Sequence, residues 1–298
     1  MKILCIGSFN KDLVYGVDHI AVGGETILSQ SLHKYWGGKG LNQAVALARS
    51  FDEVYMAGRI NSEDESLRAF MAENNLHDDY LAYSEQPTGH AVIYVDKKGQ
   101  NSITVFGGAN QDLTDEYVNS TLAHFNAGDI VLVQNETNAL DTILRTAHAR
   151  GLRIAMNPSP FADTLLALPL EYVDIFLINE IEGKQITGED RPCKILASMK
   201  KKFPKAQVVL TMGKEGAVYA TPNDIYRHGI YNVPVVDTTA AGDTFTGYFL
   251  SGIARQLPPE MVLEQASKAS SIAVSRAGAT VSIPYLAEVE AFAGEKLE

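Results

Sequence analysis

Near the C-terminal end of the chain, Val235-Val236-Asp237-Thr238-Thr239-Ala240-Ala241-Gly242-Asp243-Thr244-Phe245-Thr246-Gly247 combines a run of small side chains with two carboxylates. Phe245, Phe249 and Ile253 recur at helical spacing, so the small residues stand at a helix start. There the amides of Ala241, Gly242 and Asp243 lack intrahelical partners, and the macrodipole adds to their attraction for an anion. Such an anion hole suits the charge that develops on a transferring phosphoryl group. Asp243 stands where it could accept the proton of an attacking hydroxyl. The plainer reading is that Asp243 caps the helix. The surrounding glycine and alanine serve an anion better than they serve packing, which favours chemistry. A second run, Trp36-Gly37-Gly38-Lys39-Gly40-Leu41-Asn42-Gln43-Ala44, opens a helix carrying Val45, Leu47 and Ala48. Its glycines allow a tight turn and close approach of backbone to ligand. Gly40 follows Lys39 where a P-loop needs Ser or Thr, and Gly7-Ser8-Phe9-Asn10 is no dinucleotide fingerprint.

The elements that carry these runs follow from apolar patterning. Ile3 to Ile6, Val54 to Met56, Ile130 to Val133, Ile154 to Met156, Ile175 to Ile178 and Val208 to Leu210 are apolar on both faces, as in a parallel sheet covered on both sides. Leu41, Ala44, Val45 and Ala48, then Ile143, Leu144 and Ala147, supply helical covering layers. The expected class is α/β, with 1–298 as one domain. Residues 91–96 and 101–106, joined by Lys97-Lys98-Gly99-Gln100, read as a β-hairpin, and 12–17 as another strand. They suit a small antiparallel layer off the sheet edge, an ordinary surface hairpin or, favoured by apolar residues on both faces, a lid or dimer surface.

Composition narrows the partners. Of 298 residues 25 are Lys or Arg and 36 are Asp or Glu, a net charge of −11 that disfavours nucleic acid and anionic membrane surfaces. The longest uncharged stretch runs from Gly99 to Gln111, well short of the ~20 residues of a membrane helix. The first residues read as a strand rather than a signal peptide, so cytoplasm is expected. Cys5 and Cys193 form no C-x-x-C, and the seven histidines form no i, i+4 pair, so neither a disulfide framework nor a cysteine or histidine metal site is expected.

The ordered motifs resemble the ribokinase, or PfkB, family of carbohydrate and nucleoside kinases over essentially the whole chain. Gly37 to Ala44 and Asp237 to Phe245 carry the resemblance, with Gly7 to Asp12, Gly24-Glu25-Thr26, Gly108-Ala109-Asn110, Asn157-Pro158-Ser159-Pro160 and Asn179-Glu180-Ile181-Glu182 in register. It implies a three-layer α/β/α fold with a mainly parallel sheet, a β lid from about residues 11–36 and 89–107, and a homodimer through that lid. It implies transfer of the ATP γ-phosphoryl group to the primary hydroxyl of a pentose, foremost D-ribose, with deoxyribose, another sugar or a nucleoside such as pseudouridine as alternatives. A catalytically silent sugar-binding protein on the same fold is less favoured. Asp243 becomes the general base, with Ala240, Ala241 and Gly242 as the anion hole. Asn10, Asp12, Gly38, Lys39, Asn42 and Glu136 would hold the sugar, with Ala91, Ile93 and Val105 from the lid. Thr211, Met212, Gly213, Lys214, Glu215, Gly216 and Ser267 would flank adenosine, while Asn179 and Glu182 orient phosphates and the water shell of Mg²⁺. A monovalent cation, typically K⁺, would lie among Asp237, Thr239, Ala273, Arg276, Gly278 and Ser282. The stretch Arg59-Ile60-Asn61-Ser62-Glu63-Asp64 replaces the family's G-D-D-x-x-G, so a different local turn is expected there.

Overall fold

The computed structural model describes residues 1–297. In chain order the elements are β1 (Ile3–Ile6), β2 (Asn10–Gly16), β3 (Ser31–Gly37), α1 (Lys39–Ala48), β4 (Val54–Asn61), α2 (Ser66–Glu73), β5 (His77–Ser84), β6 (Gly89–Val95) and β7 (Asn101–Phe106). Then come α3 (Asp115–Leu122), β8 (Ile130–Gln134), α4 (Leu140–Ala149), β9 (Arg153–Asn157), β10 (Ile175–Asn179), α5 (Glu180–Thr187), α6 (Pro192–Lys202) and β11 (Gln207–Thr211). The last are β12 (Ala217–Ala220), β13 (Ile225–His228), β14 (Ile230–Tyr231), α7 (Ala241–Ala254), α8 (Pro259–Val274), α9 (Leu286–Ala291) and β15 (Lys296–Leu297).

The main sheet has the order β13-β12-β11-β10-β9-β8-β1-β4-β5 and is parallel except at one edge, where β12 pairs antiparallel with both β11 and β13. Strand β1 shows why it is covered on both faces. Ile3 and Cys5 point into a core shared with α1, α2, α7 and α8, whereas Leu4 and Ile6 point into a second core shared with α3, α4, α5 and α6. All four are fully buried, and each of the three aliphatic side chains contributes about 1.5–3 kcal/mol. The expected α/β/α layering is therefore observed.

The order places β1 between β4 on one side and β8 on the other. This is a topological switch point, where connections diverge and a crevice opens beyond the strands' carboxyl ends. Along that rim lie Gly7 to Asn10 after β1, Gln134 to Glu136 at β8, and Asn157, Asn179 and Thr211 closing β9, β10 and β11. A separate sheet, β3-β2-β6-β7, stands beside the crevice. Its outer pairs are antiparallel and its central pair, β2 with β6, is parallel. No helix of the described residues is long and apolar enough to cross a membrane.

The stretch at 59–64 closes β4 and enters a short turn. Asn61 Oδ1 accepts from the Glu63 amide at 3.0 Å, starting a 3₁₀ turn over Ser62–Asp64. Asp64 then pairs with Lys11 of β2 at 2.9 Å, tying the turn to the small sheet, and Arg59 pairs with Asp112 at 3.2 Å.

Candidate active site

Helices α1 and α7 meet at their N-termini, and that meeting defines the site. Gly247 has no Cβ because one built there would lie 2.8 Å from the Leu47 amide nitrogen, so the helices approach backbone to backbone. A Cβ on Gly40 would likewise stand 2.7 Å from Gly7 Cα, which pins the start of α1 on the loop after β1. Gly38 has φ +94°, a left-handed conformation open to glycine at no Cβ cost.

Asp243 is not a cap. It sits inside the first turn of α7, no side chain caps that helix, and Ala240 before it adopts left-handed φ +58°. A non-glycine residue there costs of order 1 kcal/mol, and such strain concentrates at functional positions. The Asp243 carboxylate is buried and accepts from Asn42 Nδ2 at 3.1 Å and Gln43 Nε2 at 2.9 Å, both on α1. Gly242 beside it has nothing within 4 Å of an added Cβ, leaving backbone exposed to the crevice.

Beyond Asp243 lies a polar recess built from β1, β2, β8 and α1. Ser8 Oγ donates to Glu136 Oε2, the same oxygen accepts from the Lys39 amide at 2.9 Å, and Ser8 Oγ accepts from the Gly40 amide at 3.2 Å. Asn110 clamps the other side: its Oδ1 accepts from the Phe9 amide at 2.9 Å and its Nδ2 donates to Asn10 Oδ1 at 2.8 Å. Burial pushes the Asp12 carboxyl up to about 7, with the neighbouring Glu136 charge adding to it. Glu136 is also raised, by burial against the opposing hydrogen bonds from Ser8 and Lys39. Burial opposes the Lys39 charge, but Asp243, Glu136 and Glu182 outweigh it and hold its ammonium above the ordinary lysine range. Strand register puts Ala91 beside Asp12, Val105 beside Ala91, and Ile93 beside Val14, so these apolar residues share the Asp12 face. Phe106 pairs with His90 on the opposite face, and Trp36 packs on the core, so neither lines the recess.

On the far side of Asp243 the crevice divides. A cavity of about 240 Å³ is lined by Lys39, Asn157, Asn179, Glu182, Thr238 and Asp243 among others. Thr211, Gly213, Gly216, Gly242, Ser267 and Ser270 bound a second of about 150 Å³, and Lys214, Tyr231, Val235 and Val274 help bound a third of about 370 Å³ beside it. Two expectations need correction here. Met212 points into the core below the sheet, and Glu215 faces a different hollow with Arg227 and His228, so neither lines this cleft. Glu182 is buried and forms a reciprocal capping box with Asn179, its Oε2 accepting from the Asn179 amide at 2.9 Å. That pins both residues at the cavity wall, with the second oxygen of Glu182 uncommitted to the cap.

Of the residues expected around a monovalent cation, Thr239 and Gly278 contact Asp237. Its Oδ1 accepts from the Thr239 amide at 2.9 Å and Oδ2 from the Gly278 amide at 2.9 Å, clasping 237–239 to the loop after α8. Ser282 Oγ donates to Ala279 carbonyl and Arg276 pairs with Glu288, so these side chains serve the fold and carbonyl oxygens remain as donors. One carboxylate with carbonyls is the hard-oxygen set a group-I cation takes. Among the described residues no cluster of three or more His, Cys, Asp or Glu could hold a metal by side chains alone.

Residues 1–286 match the family model described as pfkB family carbohydrate kinase. The chain is a PfkB-family carbohydrate kinase. The kinase is 35% identical to a ribokinase of Staphylococcus aureus (strain COL), with 97% of this chain and 98% of that one covered. It is 37% identical over 95% of its length to a bifunctional ribokinase/ribose-5-phosphate isomerase A of Fructilactobacillus sanfranciscensis, and spans 54% of that relative. The solved structure of Arabidopsis thaliana ribokinase complexed with ribose and ATP superposes with TM-score 0.82 at 28% identity, with 97% of each chain covered.

Sequence reasoning passed over Ser8, Gln43, Asn110, Gln134, Asn157 and Ser270, which hold or line the site. Ser8, Gln43, Asn110 and Asn157 lie inside the family-like motifs, but a hydroxyl or amide carries no signal of a role until its partner is seen.

Proposed function

We propose that this kinase transfers the γ-phosphoryl group of ATP to the primary hydroxyl of D-ribose, giving D-ribose 5-phosphate and ADP. The observation that carries the reading is the Asp243 carboxylate, buried at the start of α7 and held by two α1 amides where the polar recess meets the cleft. The sugar lies in the recess: Asn10, Asp12, Asn42 and Glu136 provide acceptors and donors for a ring of hydroxyls, with the Gly38-Lys39 backbone alongside. ATP lies in the cleft, adenosine among Thr211, Gly213, Lys214, Gly216 and Ser267, phosphates toward Lys39 and the amides of Ala241, Gly242 and Asp243.

Asp243 takes the hydroxyl proton as that oxygen attacks the γ-phosphorus, and the bond to the bridging oxygen breaks to release ADP. The amides of α7 and the Lys39 ammonium meet the negative charge that develops. Mg²⁺ bound with ATP would neutralise phosphate charge, held through water by Glu182, and K⁺ by the Asp237 loop would fix the anion hole. The small sheet is the lid; Ile103 and Val105, exposed on its Asp12 face, support a homodimer through it, which sedimentation analysis of the purified protein checks. Two free cysteines are in keeping with the cytoplasm.

The test is a panel of ribose, deoxyribose, other pentoses, hexoses and nucleosides including pseudouridine, with coupled ADP detection, with and without K⁺. Highest kcat/KM on ribose supports the reading. A preference for a nucleoside or hexose replaces the substrate, and binding without turnover on every sugar replaces the enzyme with a sugar sensor.

A further inference from the structure

The Asp243 carboxylate is the end of a buried chain of amides that neither sugar nor nucleotide needs to touch. Gln43 is fully buried in α1, and its Nε2 donates both to Asp243 Oδ1 at 2.9 Å and to Asn157 Oδ1 at 3.3 Å. Its Oε1 accepts from Gln134 Nε2 at 2.6 Å. Gln134 is buried at the end of β8; its Nε2 also lies 3.7 Å from Cys5 Sγ, and Cys5 in turn faces the Gly40 carbonyl at 3.4 Å. A Cβ on Gly7 would come 2.5 Å from Gln134 Oε1, so the glycine after β1 makes room for this side chain.

The chain has one direction. An ionised carboxylate only accepts, so Gln43 must turn Nε2 to Asp243 and Oε1 away; Oε1 then demands a donor, which Gln134 supplies. Either amide reversed would bury two acceptors face to face, at a cost of about 1–3 kcal/mol. We propose that Gln43 and Gln134 are positioning residues for phosphoryl transfer: Gln43 fixes the rotamer and donor environment of Asp243, and Gln134 locks Gln43 against reversal. Near-attack geometry tolerates little error, so a base free to rotate loses rate rather than binding. The inference rests on Asp243 as the base but not on ribose as the acceptor.

Steady-state kinetics are measured on Gln43→Leu, Gln134→Leu and the double variant, with ATP and whichever alcohol of the panel the wild type phosphorylates best. Gln43→Leu is expected to lower kcat by about 10- to 100-fold, with KM for both substrates within about threefold. Gln134→Leu should lose less, and the double variant should be no worse than Gln43→Leu, because Gln134 acts through Gln43. Should Gln43→Leu not fold, Gln43→Glu keeps the volume. Its kcat should be lowest at alkaline pH and recover as the new carboxyl protonates and donates again. Wild-type kcat in these variants, a loss carried wholly by KM, or additive losses in the double variant overturn the inference, while an inactive wild type overturns the proposed function instead.

Discussion

Asp12 offers a quantitative test because its burial sets two effects in opposition. The carboxyl is raised from 3.8 to about 7, first by burial and then by Glu136. The folded state therefore holds this proton more tightly than the unfolded chain, and stability falls as pH rises through the window between those values. Above pH 7 the full penalty is present, ~4 kcal/mol at most. Asp12→Asn keeps the side-chain volume and removes that charge, so it should stabilise the free enzyme at pH 8 by up to this amount and have little effect at pH 4. Sugar binding should respond oppositely. If the ionised carboxylate accepts sugar hydroxyls, about nine-tenths of the enzyme is competent at pH 8 and about one-tenth at pH 6, so KM for ribose rises about tenfold on acidification. Asp12→Asn should show a high KM that no longer depends on pH between 6 and 8. Thermal unfolding at pH 4 and 8, paired with ribose KM at pH 6, 7 and 8, reads both effects. A ribose KM that is flat across that range in the wild type, or unaltered stability of the variant at pH 8, refutes the reasoning.

Two further outcomes follow from glycine positions. Gly242→Val places a branched side chain where an added Cβ meets nothing within 4 Å, in the path proposed for the phosphates. It should fold normally and raise Kd for ATP by about tenfold or more with ribose affinity held, as calorimetric titration of each ligand would show. Gly40→Ala forces a methyl 2.7 Å from Gly7 Cα. It should cost about 1–3 kcal/mol, visible as a lowered denaturation midpoint, whereas unchanged stability would contradict the close approach of α1 to β1.

The legible and illegible parts of the molecule differ for physical reasons. Core strands such as Ile3–Ile6 and Ile130–Gln134 are apolar throughout because both faces are covered, and that leaves a plain mark in the sequence. Strands at the sheet's margins do not: the edge strand His77–Ser84 mixes charge with aromatics, and at the other margin Ala217–Ala220 and the edge strand Ile225–His228 are four residues each. In the site, the two glycine-rich runs were readable because backbone contact excludes side chains. The capping box of Asn179 and Glu182 was written in the N-x-x-E spacing, yet the same spacing also suits a ligand set, and only burial distinguishes the structural part. Gln43 and Gln134 were silent because an amide shows its function through a partner 91 residues away. Met212 and Glu215 were misplaced because the loop after β11 turns sharply, Gly213 and Gly216 both taking positive φ, which sends neighbouring side chains to different sides.

The most direct measurement is product formation by wild type and Asp243→Asn with ATP, Mg²⁺ and D-ribose, followed by phosphorus NMR. The wild type is expected to give D-ribose 5-phosphate and ADP, and the variant to lose about 10²–10⁴-fold in kcat while still binding both substrates. A variant that turns over near the wild-type rate would contradict the account, because the carboxylate between α1 and α7 would then not be the base.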